Sequence, residues 1–140
     1  MNSTIILKGN ILYTPNPSAL VSIQQGYVIA VDGVVVHCGE SIPTVYTEYD
    51  VVDYGDNLII PGFVDTHAHA PQYCNRGLGM DKELLPWLET YTFPEEAKFI
   101  DPDYARLVFG AFVHDLWRNG TTRSILFGTI HKDSTLVLME

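Results

Sequence analysis

The sequence predicts a mixed α/β chain whose organisation changes at Pro61. Before this proline, short apolar runs alternate with clusters of Pro, Gly, Asn and Asp, a pattern typical of strands and turns. After it, an apolar strand runs directly into two histidines spaced by one residue, and a capped amphipathic helix and a further strand follow. We therefore expect β-structure in residues 1–60 and two strand-helix units in residues 61–140.

The amino-terminal part is predicted to contain four strands, at residues 4–13, 22–29, 31–37 and 49–53. The sequences that separate them are Pro15-Asn16-Pro17-Ser18, Asp32-Gly33 and Gly55-Asp56-Asn57. Asp32-Gly33 between apolar runs predicts a β-hairpin, because these residues favour a tight two-residue turn. His37 falls within an apolar run, so we expect a half-buried structural histidine there.

The strand that follows Pro61 predicts half of a metal site. Side chains two residues apart on a strand project to the same face, so His67 and His69 can bind one cation together. Imidazole is a good ligand for zinc, iron or nickel, and a catalytic site needs further ligands and an open position for water. The alternative is a pair of histidines at the end of a buried strand with no ligand role.

The residues that flank the two histidines favour the metal interpretation. Pro61-Gly62 gives a rigid turn into the strand, and Phe63 and Val64 are expected to bury it. Asp65 has the parity to lie beneath the imidazoles, where a carboxylate can orient a ring through its other nitrogen, or it can cap a turn. The loop at residues 73–82 is expected at the mouth of the site, with Arg76 as a solvated surface residue.

A helix is predicted to begin after Asp101, an N-cap candidate that is followed by Pro102 at the first helical position. Asn119-Gly120 ends it, and residues 121–127 form the next strand, which brings Phe127 and His131 near the site. We expect His131 to be an orienting or a structural residue rather than a ligand, and His114 to be an exposed or packing residue. The expected apolar face of the helix is Tyr104, Leu107, Val108, Ala111 and Phe112. Three residues before it are expected to pack rather than to stack on a ligand: Trp87, Leu88 and Tyr91. Residues 134–140 open a further helix.

Several of these segments carry a family resemblance. The run Pro61-Gly62-Phe63-Val64-Asp65-Thr66-His67-Ala68-His69 resembles the first barrel strand of the amidohydrolase superfamily. The segments Ala70-Pro71-Gln72-Tyr73, Leu85-Pro86-Trp87-Leu88 and Tyr91-Thr92-Phe93-Pro94-Glu95 resemble the guanine deaminases within it. The resemblance implies a TIM (β/α)8 barrel preceded by strands of a small composite β-sandwich, with the barrel incomplete in this chain.

The resemblance also implies a reaction and a set of site residues. A Zn²⁺ ion, or Fe²⁺ in its place, would be held by His67 and His69, and the activated water would hydrolyse guanine to xanthine and ammonia in purine catabolism. The substrate-binding residues would be His69, Ala70, Pro71 and Gln72, because the Gln72 amide offers both donors and an acceptor to a purine edge. The remaining ligands and the acid/base glutamate come from later strands in the family, so no catalytic acid or base is expected within this segment.

Length is the reason for expecting an incomplete barrel. A TIM barrel takes about 250 residues, whereas this sequence has 140. We therefore expect an amino-terminal fragment of a longer enzyme, inactive when isolated. Its exposed strand edges and helix faces predict an oligomer or a poorly soluble chain, and the resemblance suggests a homodimer. Two alternatives stay open: another member of the chlorohydrolase and nucleoside deaminase subgroup, or a non-catalytic truncated module.

Composition narrows the partners. The net charge of −9, from 17 acidic and 8 basic residues, argues against nucleic acid and favours a small-molecule partner. No apolar run approaches the roughly 20 residues that span a bilayer, and no signal peptide is recognisable, so we expect a cytoplasmic protein without membrane contact. Cys38 and Cys74 are expected to be reduced thiols. The absence of His-x-Glu and Cys-x-x-Cys excludes the other class of zinc deaminase.

Overall fold

The computed structural model describes residues 3–140, and the chain divides into two compact units after Pro61. The amino-terminal unit is a β-sheet unit, whereas the carboxy-terminal unit contains strands and helices, so the chain is a mixed α/β protein as expected. Within residues 3–140, no helix is long and apolar enough to cross a membrane.

The amino-terminal unit is a four-stranded sheet with the strand order β3-β2-β1-β4. The strands are β1 (Thr4–Asn16), β2 (Ala19–Val31), β3 (Val34–Gly39) and β4 (Val51–Ile59), with a 3-10 turn at Thr44–Tyr46. The first three strands are antiparallel, and β4 returns to pair in parallel with β1. Three isoleucines of β1 and β2 form its buried core: Ile6, Ile11 and Ile29.

The predicted hairpin at Asp32-Gly33 is confirmed. Val31 pairs with Val34, so the loop has two residues, and their φ angles are 51° and 79°. Positive φ at both positions is the geometry that matches the twist of the flanking strands.

The expected break at Gly55-Asp56-Asn57 is wrong, because these residues lie within β4 as a bulge. The ladder between β1 and β4 shifts its register at this point, and Gly55 takes a φ of 59°. Side-chain amides from β1 and β2 form hydrogen bonds with two backbone carbonyls of the bulge. Asn10 Nδ2 donates to Asp56 O at 2.9 Å, and Gln25 Nε2 donates to Gly55 O at 2.9 Å. The strand therefore continues past a glycine that in isolation indicates a turn.

The carboxy-terminal unit contains a two-stranded parallel sheet with helices between and after its strands. Its strands are β5 (Phe63–His69) and β6 (Thr121–Phe127). Its helices are α1 (Leu84–Trp87), α2 (Phe93–Ala97), α3 (Pro102–Arg118) and α4 (Lys132–Met139), with a 3-10 segment at Ala70–Asn75, a π-helical turn at Leu88–Thr92 and a 3-10 turn at Lys98–Ile100. Strand β6 has the predicted bounds, and α4 confirms the helix expected near residue 134.

Helix α3 is the framework of this unit, and its predicted ends are confirmed. The Asp101 carboxylate accepts a hydrogen bond from the backbone N–H of Asp103 at 2.9 Å, and the helix gives way to Asn119 and Gly120. The predicted apolar face is only partly right, because Ala111 is exposed and 73% of Leu107 is accessible. The buried stripe is Ala105, Val108, Phe109 and Phe112, which packs with Ala70 and Phe99 into one core.

The expected burial of Phe63 and Val64 is also wrong. Their accessible fractions are 57% and 56%. Among residues 3–140, β5 hydrogen-bonds to a single strand, β6, so the pair forms a sheet of two strands only. A parallel strand normally has neighbours on both edges and is covered on both faces, so its side chains are usually apolar on both faces.

Candidate functional site

The end of β5 brings the two predicted ligands together. Nε2 of His67 and Nε2 of His69 are 3.3 Å apart, and the two rings meet edge to face with their centroids 5.1 Å apart. Both imidazoles therefore bring the same type of nitrogen to within hydrogen-bond distance of each other. This arrangement agrees with the placement of both histidines on one face of the strand.

The separation of the two nitrogens fits a shared metal ion. Two imidazole nitrogens that each lie about 2.0–2.1 Å from a tetrahedral zinc are about 3.3–3.4 Å from each other. A catalytic zinc has three protein ligands, however, and residues 3–140 contain no group of three His, Cys, Asp or Glu side chains that could hold a metal. His67 and His69 can thus supply two ligands of such a site.

Phe127 restrains both imidazoles from the neighbouring strand. It is paired with His69 in the parallel ladder, at the carboxyl end of β6. Its ring stacks on the His69 ring with centroids 4.5 Å apart and planes 7° apart, and it meets the His67 ring edge to face at 5.2 Å. From the sequence, Phe127 is expected near this site but has no assigned function. Because it pairs with His69 at the ends of two parallel strands, its ring lies against both imidazoles.

Asp65 contacts the backbone rather than an imidazole. Its Oδ1 accepts a hydrogen bond from the backbone N–H of His67 at 3.0 Å. The β5–β6 ladder shifts its register between Asp65 and Ala68, so the strand is irregular where the carboxylate bonds back. Of the two roles expected for Asp65, this contact is the turn-capping one, and it fixes the backbone that carries His67.

The four expected substrate-binding residues occupy different surroundings. His69 and Gln72 line an open cleft of about 420 Å³, together with His67. Ala70 and Pro71 are buried, and Ala70 belongs to the core of the carboxy-terminal unit. The cleft falls within the usual size range of small-molecule sites. Its further lining includes Tyr73, Asn75, Arg76, Leu78, Met80, Trp87 and Asp115.

The wall of the cleft is held by a cluster of Tyr73, Arg76 and Asp115. The Tyr73 hydroxyl donates to Asp115 Oδ2 at 2.5 Å, and Arg76 Nη1 lies 3.5 Å from the same oxygen. The Arg76 guanidinium lies 3.7 Å from the centroid of the Tyr73 ring, although 62% of its side chain is accessible. Arg76 is thus exposed, as expected, but it is also stacked. The hydrogen bond raises the pKa of Tyr73 and lowers the pKa of Asp115.

A second polar cluster, which the sequence did not indicate, lies behind the same segment. Glu95 is buried, and its carboxylate accepts hydrogen bonds from Lys98 Nζ at 2.6 Å and from the Tyr104 hydroxyl. Burial raises the pKa of Glu95, but the Lys98 and Tyr104 hydrogen bonds outweigh it, so the pKa is lowered overall. Burial and the bond to Glu95 raise the pKa of Tyr104. Tyr104 also lies 3.8 Å from Cys74 Sγ, which connects the cluster to the Ala70–Asn75 segment.

The other three histidines are not among the residues that line the cleft. His37 is half-buried with a ring nitrogen 2.8 Å from Ser41 O, and His114 is exposed, as expected for both. His131 is half-buried at the start of α4. Trp87 is half-buried and donates its indole N–H to Leu78 O at 2.9 Å, so it secures the loop beside the cleft.

Comparison with known proteins identifies the family. Residues 58–140 match the model of the Amidohydrolase family. A guanine deaminase from Dictyostelium discoideum is 51% identical over 90 residues, which are 64% of this chain and 20% of that protein. A guanine deaminase from Escherichia coli K12 is 40% identical over 126 residues, which are 88% of this chain and 28% of that protein.

A solved structure extends the comparison to nearly the whole chain. The guanine deaminase from C. acetobutylicum, with guanine bound in its active site, superposes with a TM-score of 0.87 at 47% identity. The match covers 97% of this chain and 32% of that chain, so this chain spans between 20% and 32% of these three relatives. Because the family model matches more than half of the sequence, the chain belongs to the amidohydrolase family.

Proposed function

We propose that this chain forms part of a guanine deaminase, which hydrolyses guanine to xanthine and ammonia in purine catabolism. The observation that carries the proposal is the imidazole pair of His67 and His69, whose nitrogens are 3.3 Å apart in the same cleft as Gln72. Similarity to guanine deaminases, one of them solved with guanine bound, supports the choice of substrate.

The two histidines would act as neutral ligands of zinc, with iron(II) as the alternative metal. When bound, the metal would supply a water of lowered pKa, which is a nucleophile at neutral pH. His67 and His69 must then present unprotonated Nε2 atoms, and the ring stacking of Phe127 would keep both nitrogens directed at the ion. The His67 backbone is held by Asp65, which limits movement of the first ligand.

The substrate would be held by the segment that follows the histidines. The Gln72 amide has two donor hydrogens and one acceptor oxygen, and guanine presents both donors and acceptors along one edge. Ala70 and Pro71 would support this contact from beneath, because both are buried. His69 would contribute to both metal and substrate binding, since it lines the cleft next to Gln72.

The finer fold is part of the same proposal. Strands β5 and β6 would be the first two strands of a TIM barrel, and residues 1–60 would contribute strands to a small composite β-sandwich. The remaining metal ligands and the acid/base glutamate would come from outside residues 3–140. We accordingly expect the 140-residue chain alone to be inactive, and the complete enzyme to be a cytoplasmic homodimer.

A non-catalytic module is the second candidate. It is favoured by one observation: residues 3–140 offer two close imidazoles and no third metal-binding side chain beside them. Two imidazoles alone would bind zinc weakly and reversibly. Within the enzymes, an amidohydrolase of the chlorohydrolase or nucleoside deaminase subgroup is the alternative substrate class.

Ammonia release from guanine tests the proposal. The polypeptide that carries this sequence would be isolated from its source cells and its intact mass compared with 15.7 kDa. Guanine and adenosine would be supplied with ammonia as the measured product, and a chlorinated triazine with chloride as the measured product. Ammonia from guanine by a polypeptide several-fold heavier supports a guanine deaminase. A 15.7 kDa polypeptide that releases no ammonia favours the non-catalytic module, and preference for another substrate moves the assignment within the family.

A further inference from the structure

A strong hydrogen bond connects the segment that carries Gln72 to α3, in addition to the core packing of Ala70 and the weaker contact of Cys74 with Tyr104. Tyr73 follows Gln72 directly in the 3-10 segment Ala70–Asn75, and its hydroxyl donates to Asp115 Oδ2 at 2.5 Å. Asp115 lies near the carboxyl end of the 17-residue helix α3. A hydrogen bond to a charged acceptor is among the stronger ones in proteins. Since 3-10 segments have poor internal hydrogen bonds, an external bond of this kind restrains the segment between its buried residues.

The Tyr73 ring is restrained on two sides as well as at its hydroxyl. The guanidinium of Arg76 covers the ring at 3.7 Å from the centroid, and the ring of Phe112 meets it edge to face at 5.7 Å. Arg76 also reaches the Asp115 oxygen that accepts from Tyr73. The ring therefore has little freedom to rotate. The hydrogen bond of its hydroxyl to Asp115 then restrains the backbone of Tyr73, next to Gln72, as well as the Tyr73 side chain.

We propose that Tyr73 is a positioning residue, which holds Gln72 at the cleft through Asp115 and so sets the affinity for the purine. The statement about the purine rests on the proposed function of Gln72, whereas the attachment itself does not. Gln72 must meet a purine edge with its donors and acceptor in register, and a shift of a fraction of an ångström weakens such contacts. Loss of the Tyr73 hydroxyl removes its bond to Asp115 and should therefore weaken purine binding through displacement of the segment that carries Gln72.

Two measurements on the polypeptide as isolated and loaded with zinc test the proposal. The first is hydrogen exchange of the backbone amides in residues 70–76, where Pro71 has none. The second is the apparent dissociation constant of guanine, taken as KM from initial rates with kcat measured beside it, because the loaded enzyme consumes guanine. The variants are Tyr73→Phe, which keeps the ring, and Asp115→Asn, which keeps an acceptor of lower charge. Tyr49→Phe, in the amino-terminal unit and half exposed, removes a hydroxyl elsewhere and is the matched control.

We expect Tyr73→Phe to raise both the exchange rates at 70–76 and the guanine dissociation constant by about tenfold, the net effect of a hydrogen bond to a charged group. Asp115→Asn should raise both by less, Tyr49→Phe should change neither, and exchange within the core of α3 should stay as in the wild type. Unchanged exchange at 70–76 in Tyr73→Phe overturns the proposal, and so does unchanged guanine affinity when the wild type binds guanine. If the wild type binds no guanine, the proposed function fails, and the exchange data alone decide whether Tyr73 holds the segment.

Discussion

The imidazole of His69 and the ring of Phe127 lie face to face, with their centroids 4.5 Å apart and their planes 7° apart. The two residues are also partners in the parallel ladder of β5 and β6. Phe127 is therefore held by backbone hydrogen bonds next to a ring on which it stacks. Stacked aromatic pairs add a modest stabilisation beyond their buried area, and here that stabilisation selects one orientation of a metal-binding ring.

We predict that Phe127→Ala weakens zinc binding although it removes no ligand. Without the phenyl ring, His69 gains rotational freedom, and the entropy lost when the metal fixes it becomes larger. We expect a several-fold rise in the zinc dissociation constant, measured by competition with a chromophoric chelator. Ile125→Ala on the same strand, which removes another exposed apolar side chain, is the control. Equal affinities of Phe127→Ala and the wild type would show that the stacking has no orienting effect.

We predict that His67→Ala and His69→Ala each reduce zinc affinity by at least tenfold. Either change leaves one imidazole, and a single imidazole does not chelate. The measurement is a zinc titration by calorimetry. His114→Ala is the control because His114 is exposed and lies outside the cleft. Zinc binding unaffected by His67→Ala would remove His67 from the site.

We predict that Asp101→Ala destabilises the carboxy-terminal unit by about 1 kcal/mol, the usual cost of losing an N-cap. The Asp101 carboxylate accepts from the Asp103 backbone N–H at 2.9 Å, and this bond is absent in the variant. Urea denaturation followed by Trp fluorescence measures the change, because Trp87 and Trp117 both lie in this unit. Asp103→Ala removes a carboxylate from the same turn without removing the cap, and it should cost less.

We predict that the carboxy-terminal unit loses stability as the pH falls below about 4, the ordinary range of carboxyl groups. Asp115 and Glu95 have a lowered pKa in the folded chain, so between the ordinary and the lowered values the unfolded chain binds more protons. Their stabilising contribution is present above the ordinary pKa and is lost as the pH falls through the lowered one.

The free energy of unfolding, measured in urea between pH 6 and pH 3, should therefore decrease less steeply in Asp115→Asn and Glu95→Gln than in the wild type. Glu89→Gln, at an exposed position on the π-helical turn, is the control. Identical slopes in all four proteins would mean that neither cluster contributes to acid sensitivity.

We predict that the 140-residue chain associates in solution. Phe63 and Val64 are more than half accessible, and β5 and β6 form a sheet of only two strands among the described residues. Exposed strand edges with apolar faces favour pairing with other chains. Light scattering should show particles larger than 15.7 kDa, and Val64→Lys should reduce their size. A compact monomer of the wild type would contradict this prediction.

Local signals in the sequence predicted the elements that depend on local chemistry. Asp101 and Asn119-Gly120 set the ends of α3, Asp32-Gly33 forms the hairpin, and β6 has the predicted bounds. These features depend on caps and positive φ angles, which neighbouring residues determine. The spacing of His67 and His69 predicted their convergence for the same reason, since two residues on one strand share a face.

The predictions that failed depend on contacts between distant residues. The Gly55-Asp56-Asn57 sequence looks like a turn until the amides of Asn10 and Gln25 are placed against it. Leu107 has the spacing of an interior residue, but a different stripe of α3 packs against Ala70 and Phe99. The buried stripe is Ala105, Val108, Phe109 and Phe112. The Tyr73–Asp115 and Glu95–Tyr104 bonds could not be predicted either, because hydrogen bonds between distant side chains leave no periodicity in a sequence.

The parallel pairing of β5 with β6 has a consequence for the order in which the site is assembled. His69 and Phe127 are neighbours in space but about sixty residues apart in the chain, so bringing them together closes a long loop and costs entropy that local contacts do not offset. The helices between the two strands shorten that loop when they form first. The two histidines can converge early, as neighbours on one strand, whereas the aromatic ring that orients them arrives only with the non-local pairing of β5 and β6.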